Sequence, residues 1–125
     1  MQIKECVLIE PYFCNETDTV VDVAKKLRET TLRHIFVVND AFQPTGIISI
    51  IDINNRVVAV GANPSVLKAK DIMSKPVDII NINDDTLTVS NAMMEKNRVM
   101  CPVAKDGKMV GIITINELLR RSEAK

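Results

Sequence analysis

Two short patterns in this chain carry residue types able to do chemistry: Ser49-x-x-Asp52 and Thr114-x-x-Glu117. Each sets an alcohol three positions ahead of a carboxylate, and each follows an apolar branched run that starts at a glycine. The longer segments are Gly46-Ile47-Ile48-Ser49-Ile50-Ile51-Asp52 and Gly111-Ile112-Ile113-Thr114-Ile115-Asn116-Glu117. A strand that ends in Ser or Thr and opens a helix leaves backbone N–H groups and the positive end of the helix dipole free for a phosphate. A carboxylate on the first helical turn can accept two hydrogen bonds from a ribose diol, each worth about 1.5–3 kcal/mol. The same spacing also reads as a capping box, in which hydroxyl and carboxylate satisfy the helix's own first N–H groups. Thr114 and Glu117 fit that second template better, because the longer Glu side chain reaches back more easily.

Other polar candidates are fewer. Arg33 and His34, the chain's one histidine, stand at the start of an apolar run and suit either a phosphate contact or a solvated strand end. Arg98 lies at the equivalent turn of the second half with the same two readings, although Val99-Met100 stand where the basic pair would be. Asp84 and Asp85 read as charges stabilising a helix start. Met93 and Met94 read as core and rim. No nucleophile–base pair and no metal-ligand spacing is present, so the sequence points away from an enzyme.

The elements that hold these residues occur twice. Gly46 and Gly111 lie 65 positions apart, about half of the 125-residue chain. Farther from them the offset is 66, as in Lys4-Glu5 with Lys70-Asp71 and Val23-Ala24 with Val89-Ser90, so one residue is lost in a loop. In the first half Asp18-Thr19 caps an amphipathic helix through Val20, Val23, Ala24 and Leu27, whose spacing fits one helical face. Ile35–Val38 and 46–49 read as strands around a turn containing Pro44, and a helix follows from Ser49 or Asp52 to Gly61. Residues 62–65 read as a linker. In the second half 71–74 reads as a turn, 77–82 as extended, and Thr86 or Thr88 as the cap of a helix. Strands at 100–104 and 109–113 flank an Asp106-Gly107 hairpin turn, and 116–122 closes as helix. The expected fold is α/β, β-α-β-β-α in each copy, with copies at 1–62 and 66–125.

Composition narrows the class. A half of about 60 residues is marginal alone, so the copies are expected to share a core. Sixteen basic and sixteen acidic residues cancel, which removes the counterion-release drive of non-specific nucleic-acid binding. Nor is there a basic run to favour an anionic membrane, or an apolar stretch near the ~18 residues of a membrane span. Lys4 and Glu5 interrupt the N-terminus before any leader-like apolar run. Cys6, Cys14 and Cys101 are odd in number with no CxxC pair, which fits reduced thiols in the cytoplasm, Cys101 within the core.

The assembled segments resemble the cystathionine-β-synthase (CBS) domain, present as a tandem pair. Besides the two Gly-x-x-Ser/Thr-x-x-Asp/Glu segments, the resemblance rests on Lys70-Asp71-Ile72-Met73-Ser74-Lys75-Pro76-Val77 and on Arg33-His34-Ile35-Phe36-Val37-Val38. Phe36 stands where the family has Pro, whereas Pro102-Val103 keeps it. The resemblance implies pseudo-symmetric repeats packed through their sheets and two clefts between them that take adenosine-containing ligands. In such clefts Asp52 or Glu117 would hold ribose, Ser49 or Thr114 ribose or phosphate, and strand residues such as Pro102 the adenine. It implies a non-catalytic regulatory module needing no cofactor beyond an AMP, ADP, ATP or S-adenosylmethionine-like ligand. Homodimers and a regulated protein partner are also expected. The rival is a dimerisation or protein-interaction module with empty clefts.

Overall fold

The computed structural model describes residues 1–123 and contains two compact units. One is formed by Tyr12–Val77, the other by Met1–Pro11 with the chain from Asp78 onward. The leading segment of each sequence copy therefore packs in the unit that holds the other copy's sheet.

In the unit of residues 12–77, a sheet of β1 (Phe13–Asn15), β2 (His34–Val38) and β3 (Pro44–Ser49) runs in that order, β1 parallel and β3 antiparallel to β2. Helix α1 (Val20–Thr30) starts where the Thr19 hydroxyl accepts the Asp22 N–H at 3.2 Å. It buries Val20, Val23 and Leu27 and stops at Thr31, whose φ of 58° ends the helical ladder. Burying such side chains contributes about 1.5–3 kcal/mol each. The continuous apolar run of β2 is buried on both faces, whereas β3 alternates, with Ile48 fully inside. Helix α2 (Ile50–Ile53) widens into a π-helical segment at Asn54–Val58, and Gly61 at φ 70° ends this stretch. Residues 71–74, expected as a turn, belong instead to α3 (Ala69–Ile72) and its exit. Asp71 accepts the Lys68 N–H at 2.8 Å and starts the helix, and Ala69 and Ile72 are buried.

The unit that begins again at Asp78 repeats this plan with β4 (Ile80–Asn81), β5 (Met100–Lys105) and β6 (Lys108–Thr114). Helices α4 (Thr86–Glu95) and α5 (Ile115–Glu123) complete it. Asp85, rather than either threonine, caps α4 by accepting the Thr88 N–H at 3.1 Å. Asp106 and Gly107 have φ of 53° and 82°, the two left-handed residues of a tight hairpin turn. Met93 is buried and Met94 exposed.

The repeated glycines mark close approaches. A Cβ on Gly46 would sit 2.6 Å from Met73 Sδ, where Ile47 and Ser74 exchange backbone hydrogen bonds. A Cβ on Gly111 would sit 2.9 Å from Leu8 Cβ, where Ile9 and Ile112 do the same. Glycine recurs because a second chain segment presses against the sheet at the matching place in both units.

Candidate ligand site at the strand–helix junctions

At the first junction, β3 hands over to α2 through a complete capping box. The Ser49 hydroxyl accepts the Asp52 N–H at 3.0 Å, and Asp52 Oδ2 accepts the Ser49 N–H at 2.8 Å. Among the described residues Asp52 Oδ1 meets only Arg56, at 3.8 Å. That carboxylate therefore keeps acceptor capacity, and it is partly open to solvent. The β2–β3 register sets His34 directly opposite Ser49, on the same face of the pair. The Arg33 carbonyl accepts the Ile50 N–H at 3.0 Å, fixing the arginine beside the helix start. Arg33 is exposed, and among the described residues its side chain is in no ion pair. The fold thus brings Arg33, His34, Ser49 and Asp52 together at one helix entry.

The second junction shares the motif and differs in its wiring. The Thr114 hydroxyl accepts the Glu117 N–H at 3.2 Å, as a cap should. Glu117 does not reach back to Thr114, so the reciprocal capping box expected here is found at Ser49 and Asp52 instead. Glu117 Oε2 accepts the Val7 N–H at 2.7 Å and the Arg121 Nε–H at 2.9 Å, while Oε1 accepts from Arg120. The extra methylene that suits Glu to a box also carries it past the helix end to the N-terminal segment. Only 7 % of the side chain is exposed. Burial works to raise its carboxyl pKa, but the Val7 N–H and the two guanidinium groups outweigh it and hold the value at about 2.

Neither an arginine nor a histidine stands at the places matching Arg33 and His34, which are Val99 and Met100. Val99 supplies the carbonyl to Ile115 N–H at 2.9 Å, and Met100 lies opposite Thr114. Arg98 turns to Asp78, its Nε 3.3 Å from Oδ2, and Lys96 holds the other oxygen at 3.3 Å. Burial works to raise the Asp78 pKa, but these two cations together outweigh it and lower the value. Pro102 is buried in β5 opposite Ile112. Neither residue is drawn to the Thr114–Glu117 junction by any described hydrogen bond.

Arg56 and Arg121 were not among the expected site residues, yet each stands four positions after its repeat's acid and pairs with it. The signal was legible: Asp52-x-x-x-Arg56 recurs as Glu117-x-x-x-Arg121, 65 positions on. Arg56 also donates to the Ile72 carbonyl at 2.7 Å, tying the π-helical segment after α2 to α3.

Comparison with known proteins accords with this duplicated plan. The chain is 34% identical over 105 residues to an uncharacterized protein of Methanopyrus kandleri, covering 83% of this chain and 54% of that protein. It is 28% identical over 112 residues to a mitochondrial CBS domain-containing protein of Arabidopsis thaliana, covering 86% and 54%. It thus spans about half the length of these curated relatives. The crystal structure of the CBS domains of a transcriptional regulator from Streptococcus pneumoniae superposes with a TM-score of 0.78 at 21% identity, covering 96% of this chain and 98% of that one. That likeness shows the fold. The CBS domain profile matches residues 3–59 and again 69–124, and the chain belongs to the CBS domain family as a tandem pair.

Proposed function

We propose that this chain is a non-catalytic regulatory module that binds an adenosine-containing ligand of the AMP, ADP, ATP or S-adenosylmethionine class. The convergence of Arg33, His34, Ser49 and Asp52 at one helix entry carries this reading. Asp52 Oδ1 is available to ribose hydroxyls, and beside it Arg33 supplies positive charge and His34 a ring N–H for a phosphate. Thr114 and Glu117 mirror the motif but serve the N-terminal segment, so the ligand is assigned to the first junction. Regulation follows by linkage, since a ligand that prefers one arrangement of the module shifts the population toward it. A homodimer, a regulated protein partner and a reducing cytoplasmic setting complete the proposal. Three free cysteines fit the last of these.

Thermal-shift and calorimetric titrations with AMP, ATP, S-adenosylmethionine and methylthioadenosine test the reading. Ligand at a hundredfold excess over Kd adds about 2.7 kcal/mol of stability, enough for a midpoint rise of several degrees. A flat response across all four compounds would refute it. The complete Ser49–Asp52 box favours one rival, a dimerisation or protein-interaction module whose junctions hold only their own helices. A stable co-purifying partner with no nucleotide in the native mass spectrum is the result that rival requires.

A further inference from the structure

The space under the C-terminal ends of α1 and α4 is filled in one unit and open in the other. Thr31 and Asn97, at left-handed φ of 58° and 56°, mark matching places 66 positions apart. In the unit of residues 12–77, Tyr12 packs against the core that includes Cys14, Leu27 and Ile35, and its hydroxyl donates to the Lys26 carbonyl at 2.6 Å. Lys26 in turn reaches the Phe13 carbonyl at 3.1 Å. A phenol ring and a lysine stem thus close that end of the core. The matching positions of the other unit hold Asp78 and Ala92, and a hollow of about 170 Å3 opens there. Buried Ile80, Met93 and Cys101 line it, with Asp78, Lys96 and Arg98 as its charged groups. Two cations share one carboxylate, an excess of one positive charge, and Glu95, the single acid of α4, is not in the lining. Among the described residues Arg98 spends only its Nε–H on Asp78, so the terminal guanidinium nitrogens remain for a second carboxylate.

We infer that this hollow binds a short aliphatic monocarboxylate, with its chain against Ile80, Met93 and Cys101 and its carboxylate at Lys96 and Arg98. An apolar lining with a few placed polar groups is what small-ligand sites present. A cavity of about 150 Å3 holds a molecule the size of benzene. The hollow therefore takes about six non-hydrogen atoms, an acid of roughly four or five carbons. An adenine ring exceeds that size. An alkylammonium ion is disfavoured, because Asp78 is already shared by two cations. None of these residues belongs to the Ser49–Asp52 junction, so the inference goes beyond the nucleotide reading and does not depend on it. It is also specific to this unit. At the matching positions the other has Thr30 for Lys96 and Leu32 for Arg98, besides the Tyr12 ring that takes the space.

The test is a ligand-detected NMR titration of the full chain with isovalerate and with isovaleramide, which has the same shape and no charge. Isovalerate should bind at least roughly tenfold tighter, the margin expected when a hydrogen-bonded group carries charge. Asp78→Tyr/Ala92→Lys rebuilds the plug of the other unit and should abolish isovalerate binding while circular dichroism stays unchanged. If that variant does not fold, Arg98→Leu, which copies Leu32, should weaken isovalerate roughly tenfold and leave isovaleramide as it was. Binding of neither compound, equal affinities, or isovalerate binding that survives in the folded plug variant or is untouched by Arg98→Leu would overturn the inference. So would displacement of isovalerate by AMP, since the hollow would then belong to a nucleotide site. A chain that binds isovalerate but no nucleotide would uphold this inference and refute only the proposed function.

Discussion

The first junction and the second are copies of one motif whose acids have gone to different work. Asp52 caps α2 with one oxygen and leaves the other in loose contact with Arg56. Glu117 is buried, with both oxygens committed to the Val7 N–H, Arg120 and Arg121. The difference teaches that a repeated pattern preserves the backbone turn more strictly than the use of its side chains. One methylene and the approach of residues 7–9 are enough to turn a cap into a clasp on the N-terminal segment.

Substitution should separate the two acids most sharply at Glu117. Glu117→Ala leaves the Val7 N–H and two guanidinium groups without their acceptor and should cost about 3 kcal/mol. A melting-temperature fall of roughly 10 °C follows for a domain of this size, readable by calorimetry. Asp52→Ala should lose only a cap, about 1 kcal/mol. Equal losses would erase the distinction.

Acid sharpens the same contrast. The Glu117 carboxyl is held at about 2 against an ordinary value of 4.5. A depressed carboxyl stabilises the fold above its unfolded value, so its contribution is complete above pH 4.5 and disappears as pH falls toward 2. Melting temperature measured against pH should therefore drop more steeply over that window in the native chain than in Glu117→Gln. Parallel curves would show that the clasp is absent in solution.

The glycines compare the two units at one remove. Gly111→Ala meets Leu8 Cβ, an atom tied to its backbone, while Gly46→Ala first meets the flexible end of Met73. Overpacking should cost about 1–3 kcal/mol, more at Gly111 than at Gly46, as measured by urea unfolding. The reverse order would mean that the Ser74 carbonyl, 3.0 Å from the added Cβ at Gly46, decides instead.

The smallest expected difference is chemical. Burial, with Asp18 close by, pushes the Cys14 thiol up to about 12, and burial with Asp78 near pushes Cys101 up to about 11. Both should resist a thiol reagent at pH 8 in the native protein, while half-buried Cys6 reacts first. Rapid labelling of all three would show that both units open readily.

Much of this architecture was legible in the residues themselves. The duplicated Gly-Ile-Ile segments placed both junctions, the Val20/Val23/Leu27 spacing placed α1, and Asp106-Gly107 placed the hairpin. These are local signals, each decided by side-chain period or by the φ that a turn demands. The misses were long-range. Nothing near Glu117 announces that its hydrogen-bond partner is Val7, 110 positions earlier. Likewise, α3 looked like a turn because its four residues carry too short a period to register. Its helicity depends on the Asp71 cap and on burial of Ala69 and Ile72. The regrouping of residues 1–11 with the chain beyond 77 is a tertiary choice that repeat boundaries do not encode.

Calorimetric titration of AMP and ATP into the native chain, Asp52→Ala and Glu117→Gln tests the central claim most directly. The account predicts roughly a ten- to a hundredfold weaker affinity in Asp52→Ala, the size expected for losing a charged hydrogen bond, and unchanged affinity with a lower melting temperature in Glu117→Gln. Affinity lost in Glu117→Gln and kept in Asp52→Ala would contradict it.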